Sequence, residues 1–427
     1  GEPAGDDTGG TTPVEEVPGG FVEPTTSTDV RARPTAEEIA AFVPAAGETF
    51  TFPEPWGTEA VRLTDDDTCG GADCVSAVGY SYWRVTNAHE GRDAMSILLG
   101  IDGQLALLHY DKATGGVSRG ELLLDGSPIA GTGEQVFWSG SDPDRLYVME
   151  TGLTGRMLAV DVAAGASTVV YDATEAFGDD AYVWQPHASD DDRVHSFTLR
   201  EYGTWATLGC VVWFADTEEF VSYVGEGAFD ECQVDRSGRW LLIKENVDGA
   251  AGEDNRVVDL ETSEETLLLD QDGAGGHSDN GHGYTVAADN WNALPGAVRL
   301  WDLASPVDGE LVYHEIAWEA GLGHVTHTNA RADVAPEEQF ACASNATTGD
   351  YARSNEILCF PLDGSLEVLI VAPVMTDLDA PGGGAEAYYK YPKGNLDVTG
   401  RYFVWTTNLG GDRLDAFLVK VPAHLLD

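Results

Sequence analysis

Four short stretches each bring a histidine or glutamine to the start of a β-strand: WQPHAS at 184–189, ECQVD at 231–235, GHSDNG at 276–281 and THTNAR at 326–331. Three imidazoles and a carboxamide oxygen suit Mn2+, Fe2+, Zn2+ or Ni2+, because imidazole favours borderline transition metals and an amide leaves coordination positions open. That chemistry needs His187, Gln233, His277 and His327 to converge on one point. His324 and His282 lie close enough in sequence to replace or support them, and Glu231, Asp235 and Asp279 can orient the rings as acceptors. The competing reading is that inner-strand histidines only hydrogen-bond their neighbours, as buried polar groups must. Five of the ten histidines, at 187, 277, 282, 324 and 327, lie in or beside these stretches, which keeps the metal reading open.

Convergence of residues so far apart requires a radial array, whose signature is self-similarity at about 40 to 50 residues. FDECQVDRSGRWLLIKENV at 229–247 reads as strand, tight turn at Arg236-Ser237-Gly238, strand; NRVVDLETSEETLLLD supplies an outer hairpin. The same course recurs near 77–125, 134–172, 181–224, 275–314, 323–373 and 388–422, with period-2 apolar alternation broken by Asp, Gly and Ser at turns. The last unit has only three good strands. EAVRLTD at 59–65 is a lone strand that can supply the fourth, which would close the ring and remove its exposed edges. The pattern predicts an all-β, seven-bladed β-propeller of four-stranded antiparallel blades closed by an N-terminal strand, with six or eight blades as alternatives. Helical periodicity is confined to PTAEEIAAFVPAA at 34–46.

Residues 36–427 form one propeller domain on this reading. Residues 1–35 are rich in Gly, Thr, Pro and acid, with too little apolar surface to offset the entropy of ordering; they read as a flexible tail or an interaction arm. The six cysteines fall into the pairs 69/74, 210/232 and 342/359, which points to disulfides and an oxidising compartment. No apolar run reaches the roughly 20 residues that span a bilayer. With 73 acidic and 23 basic residues the formal charge is −50, which repels nucleic acid and anionic membranes. The acids are spread through every blade, which favours solubility in salt over a dedicated cation store, and the runs Asp65–Asp67 and Asp190–Asp192 read as solvated turns.

The stretch THTNARADVAPEEQFACASNATTGDYARSNEI at 326–357, a histidine-bearing inner strand followed by a turn and an F-x-x-x-S second strand, resembles the closing motif of bacterial propellers of the oligogalacturonate-lyase and ulvan-lyase type. The N-terminal segment is similar to the tether of bacterial surface lipoproteins. The first resemblance implies seven blades, a divalent metal ion (manganese, calcium or zinc) and β-elimination on uronate-containing glycans. It implies that His187, Gln233, His277 and His327 hold the metal and that His324 or His282 is the base. Arg331 or Arg236 would contact the sugar acid, with Tyr284, Trp184, Trp291 and Trp138 as sugar platforms. A metal or arginine is needed because the C5 proton of a uronate is too weakly acidic unless the adjacent carboxylate is neutralised. The charge of −50 opposes a polyanionic substrate at low salt. An alternative from another class is an extracellular or cell-surface propeller without catalysis, binding a glycan or protein, or assembling with copies of itself when residues 1–35 add a strand to a neighbour.

Overall fold

A computed structural model describes residues 16–426, apart from 78, 125, 130–133, 151–153, 251, 289–296, 308 and 315–322. Seven antiparallel sheets follow one another along the chain as the blades of a propeller. Their inner strands are Val75–Ser76, Val136–Trp138, Ala181–Ala188, Ala228–Val234, Ser278–Asn280, Val325–Thr326 and Asn395–Leu396, in blades 1 to 7. Within each blade the middle strands are buried almost throughout, as in Trp240–Asn246 and Asp254–Asp259, while outer strands such as Glu219–Tyr223 are largely exposed. Apolar residues on both faces of the middle strands pack blade on blade, so the core lies between sheets.

The ring closes as the lone N-terminal strand requires. Glu59–Arg62 pairs with Asp415–Lys420 as the fourth strand of blade 7, and Thr49–Thr51 adds a fifth. Arg62 and Asp415 form an ion pair of 2.7 Å at this seam, with Asp415 buried. The short helix is Ala36–Phe42, started by a reciprocal capping box between Thr35 and Glu38. Strand addition by the N-terminal segment takes place inside the chain: Phe21–Pro24 pairs with Glu367–Ile370 at the outer edge of blade 6. Arg31 fastens it there with ion pairs to Glu23 and Glu356.

All three cysteine pairs are disulfides. Cys342 and Cys359 face each other on neighbouring strands of blade 6. Cys210, on the third strand of blade 3, joins Cys232, on the inner strand of blade 4, so one covalent link crosses between blades. No helix among the described residues is long and apolar enough to cross a membrane.

Candidate functional site at the propeller axis

The inner strand of blade 1 is interrupted. Val75–Ser76 pairs with Gly100–Ile101, the chain leaves the sheet, and it rejoins at Thr86 opposite Ile97. Between these points residues 79–84, the sequence GYSYWR, cross the axis as a plug. Gly79 takes φ +65°, a left-handed turn that a side chain would oppose. Ser81 Oγ donates to the Val325 carbonyl of blade 6 (2.7 Å), the Tyr82 hydroxyl to Glu231 of blade 4 (2.8 Å) and Trp83 Nε1 to the Pro186 carbonyl of blade 3 (2.8 Å). Asn395 of blade 7 donates to the carbonyls of Ser81 and Trp83 at 2.7 and 2.6 Å. Six residues thus tie one blade to four others, and Trp83 is buried completely.

The plug and the strand phase decide which candidates meet. His187, Gln233 and Asp279 each lie two residues before the amide that closes the inner hairpin of their blade (Ser189, Asp235 and Gly281). His277 lies two residues further back, level with Glu231, which is about 6.6 Å along a strand. The His187 ring stacks on Trp83, with centroids 5.0 Å apart, and the His277 ring stacks on Tyr80 at 5.6 Å. His277 has His324 as its neighbour at 5.8 Å. His327 lies past the end of its inner strand, its amide bonded to Asp279 at 2.6 Å. The candidates face the axis at different depths, and plug aromatics stand between them.

Two of the four candidates are also committed by hydrogen bonds. His327 is held between the Phe340 carbonyl at Nδ1 (3.0 Å) and the Tyr284 hydroxyl at Nε2 (2.6 Å). Gln233 donates to Glu231 (3.0 Å) and accepts from Ser278 and Asn280. His187 Nε2 and His324 Nδ1 are buried without a hydrogen-bond partner among the described residues, and burial keeps both rings neutral, His187 near 4 and His324 well below the usual range. Two isolated imidazoles do not make a metal centre. Among the described residues, the one set of three or more histidine, cysteine or carboxylate groups with ligand atoms within 4.8 Å of one another is Asp248, Asp254 and Asp270, in the loops of blade 4 and its exit. His187, Gln233, His277 and His327 as placed do not fit a shared ion.

The turn side of the plug holds an arginine-lined pocket instead. Its walls are Arg84 and Arg236 with Tyr82, His187, Gln233 and Asp279, around a cavity of about 40 Å³. Arg84 is ion-paired with Asp190, and Arg236 reaches both Asp190 (3.4 Å) and Asp279 (3.1 Å). The run Asp190–Asp192 is a turn, but only Asp191 in it is exposed. Asp190 bridges two guanidiniums, and Asp192 accepts from Ser139 and Ser141 of blade 2. Burial and the like charge of Arg236 pull Arg84 down to about 9, still protonated at neutral pH. Its Nε is buried and has no acceptor among the described residues. His282 Nε2 stands 3.0 Å from Asp190, the partner of both arginines, and burial and Arg236 hold the ring near 4, so it is a free base at neutral pH.

The remaining candidates fall elsewhere. Arg331 is exposed and paired with Asp333, outside the pocket walls. Trp138 is fully buried and bonded to the Val85 carbonyl, which makes it structural, while Trp184 is half-buried with Arg200 over its ring. Trp291 lies outside the described residues. On the far side of the plug, His277 and His324 pack against Tyr80, which also meets Tyr388 and Lys393; the Lys393 ammonium sits 3.6 Å from the Tyr388 ring centre and its pKa is lowered by burial to about 8. Arg84, Asp190 and the plug escaped sequence reasoning; the available signal was the aromatic and basic run GYSYWR inside the irregular first unit.

These features define the class: a disulfide-bonded, seven-bladed propeller whose axis is plugged and carries a buried arginine pair. Its fold is similar to that of oligogalacturonate lyase from Vibrio parahaemolyticus, at TM-score 0.59 and 12% identity over 89% of this chain and 100% of that one. An oligogalacturonate lyase in complex with manganese matches at TM-score 0.58 and 12% identity, over 90% of this chain and 100% of that one. At this identity the likeness is one of fold. No protein-family model and no curated protein matches the sequence.

Proposed function

We propose that this is an extracellular propeller that binds uronate-containing glycans at the turn-side axial pocket and cleaves them by β-elimination. The observation that carries the proposal is Arg84 Nε, a buried cationic donor without an acceptor among the described residues, beside a second arginine in a chain of strongly negative charge. A buried guanidinium nitrogen left without an acceptor calls for one, and a carboxylate oxygen would serve. A sugar carboxylate there would receive charge-assisted hydrogen bonds from Arg84 and Arg236, stabilising the enolate-like charge that develops when the C5 proton leaves. The His282 imidazole takes that proton, the C4–C5 double bond forms, and the electrons of the C4–O bond leave with the oxygen. A bound carboxylate would offset the Arg236 charge that now depresses His282 and so raise its basicity toward the working pH. The disulfides support an extracellular setting.

The plug favours one competing reading, a glycan-binding propeller without catalysis, because it keeps a long chain from threading the axis. Acidic and neutral polysaccharides are offered to the full chain in salt, following heat of binding and ultraviolet absorbance of unsaturated product. The expected result is product from acidic glycans, with turnover lost but binding kept in His282→Ala, and binding lost in Arg84→Gln. Binding without product selects the non-catalytic propeller. Equal binding of neutral glycans, or none of either, defeats the uronate assignment.

A further inference from the structure

Away from the axis, three carboxylates gather where blade 4 passes into blade 5. Asp248 lies in the hairpin after Trp240–Asn246, Asp254 begins the strand Asp254–Asp259, and Asp270 opens the short 3-10 turn Asp270–Asp272. One oxygen of each lies within 4.8 Å of those of the other two. Loop amides hold two of them in place. Asp254 accepts from the amides of Val247 (2.7 Å), Asp248 (3.3 Å) and Asp270 (2.9 Å), and Asp248 accepts from the Ala250 amide (2.7 Å) and the Gln271 side chain (2.6 Å).

Asp270 is the anomaly. It is 5% exposed, yet its Oδ1 has no hydrogen-bond partner among the described residues. Asp254 is 1% exposed, and no arginine, lysine or histidine among the described residues is ion-paired with any of the three. The nearby cations are spent elsewhere: Lys244 on Glu231 and Arg256 on Glu245. Buried carboxylates are tolerated when paired, protonated or bound to metal. Burial, and then Asp254 and Asp248, raise the Asp270 carboxyl above its ordinary value, the direction expected of a site that wants positive charge. An all-oxygen donor set drawn from a hairpin, the start of a strand and a 3-10 turn suits calcium, which accepts variable geometry and completes its shell with water and carbonyls.

We propose that Asp248, Asp254 and Asp270 bind a calcium ion that staples the 247–253 hairpin of blade 4 to the segment leading into blade 5. The test is calorimetric titration of calcium chloride into the chelator-stripped full chain in buffered sodium chloride, with thermal melting in parallel. The expected result is one calcium per chain and a calcium-dependent rise in melting temperature, with affinity at least about tenfold weaker in Asp270→Asn and in Asp248→Asn. Asp248 is exposed, so its variant folds even where the buried one does not. Without metal, Asp270→Asn should melt above the unaltered protein, because the amide removes a buried uncompensated charge. Absence of both heat and melting shift overturns the proposal, as does unchanged affinity in Asp248→Asn; a proton shared by the carboxylates would then satisfy Asp270.

Discussion

Lys244 carries its ammonium into the interior of blade 4, where it meets Glu231 at 2.7 Å with both side chains almost fully buried. Burial alone would raise the Glu231 carboxyl, but Lys244, His187 and the Tyr82 hydroxyl outweigh it and hold the group below its ordinary value. Glu231 is thus the anionic post on which the plug hangs through Tyr82. Lys244→Met strands that charge and should lower the unfolding free energy by about 3–5 kcal/mol. Lys244→Met with Glu231→Gln, which keeps an acceptor for Tyr82, should recover at least half of the loss. Denaturant midpoints of the two variants check this; equal losses would mean the pair is screened by solvent and does not anchor the plug.

At the scale of the element, closure rests on Glu59–Arg62 and not on the N-terminal strand Phe21–Pro24. Phe21–Pro24 is a fifth strand on blade 6, whereas Glu59–Arg62 covers the third strand of blade 7 and locks the two ends of the ring together. Removal of residues 1–30 should lower the melting temperature by a few degrees and leave a cooperative transition. Removal of residues 1–65 should abolish that transition and cause aggregation that grows with concentration in light scattering, because Asp415–Lys420 becomes a bare edge. A soluble, cooperative protein after the longer truncation would show that the ring holds without its seam.

Across the whole molecule, acid sensitivity follows from histidines kept neutral by burial. His187, His195, His277 and His282 are lowered from 6.5 to about 4, and His327 to about 3. As pH falls through 6.5 the unfolded chain takes up protons that the folded chain refuses until about 4, so the unfolded state gains and stability drops across that window. Above 6.5 these groups add no pH dependence. A tenfold loss of proton affinity on folding corresponds to about 1.4 kcal/mol, so two such histidines together come to about 5–7 kcal/mol, comparable with the stability of a domain. The melting temperature should therefore fall steeply from pH 6.5 to 4 in calorimetric scans, and a flat profile would mean that the rings protonate in place.

Blade number, the closing strand at 59–62, the capped helix at 36–42 and the three cysteine pairs were legible in the sequence. Each is written in local pattern: period-2 alternation, acids and glycines at turns, a Thr-x-x-Glu cap, and cysteines spaced across one hairpin or one blade boundary. The depth at which each inner-strand residue meets the axis was not. A slip of two residues keeps His277 on the face that points to the axis while moving it level with Glu231 instead of Gln233, and alternation alone is blind to such a slip. The plug was hidden for a related reason, since its partners lie far along the chain: Arg84 meets Asp190 across 106 residues and Tyr82 meets Glu231 across 149. Contacts between blades obey the packing of the closed ring, and only the tertiary structure could turn a predicted ring of metal ligands into an aromatic plug with an arginine pocket beside it.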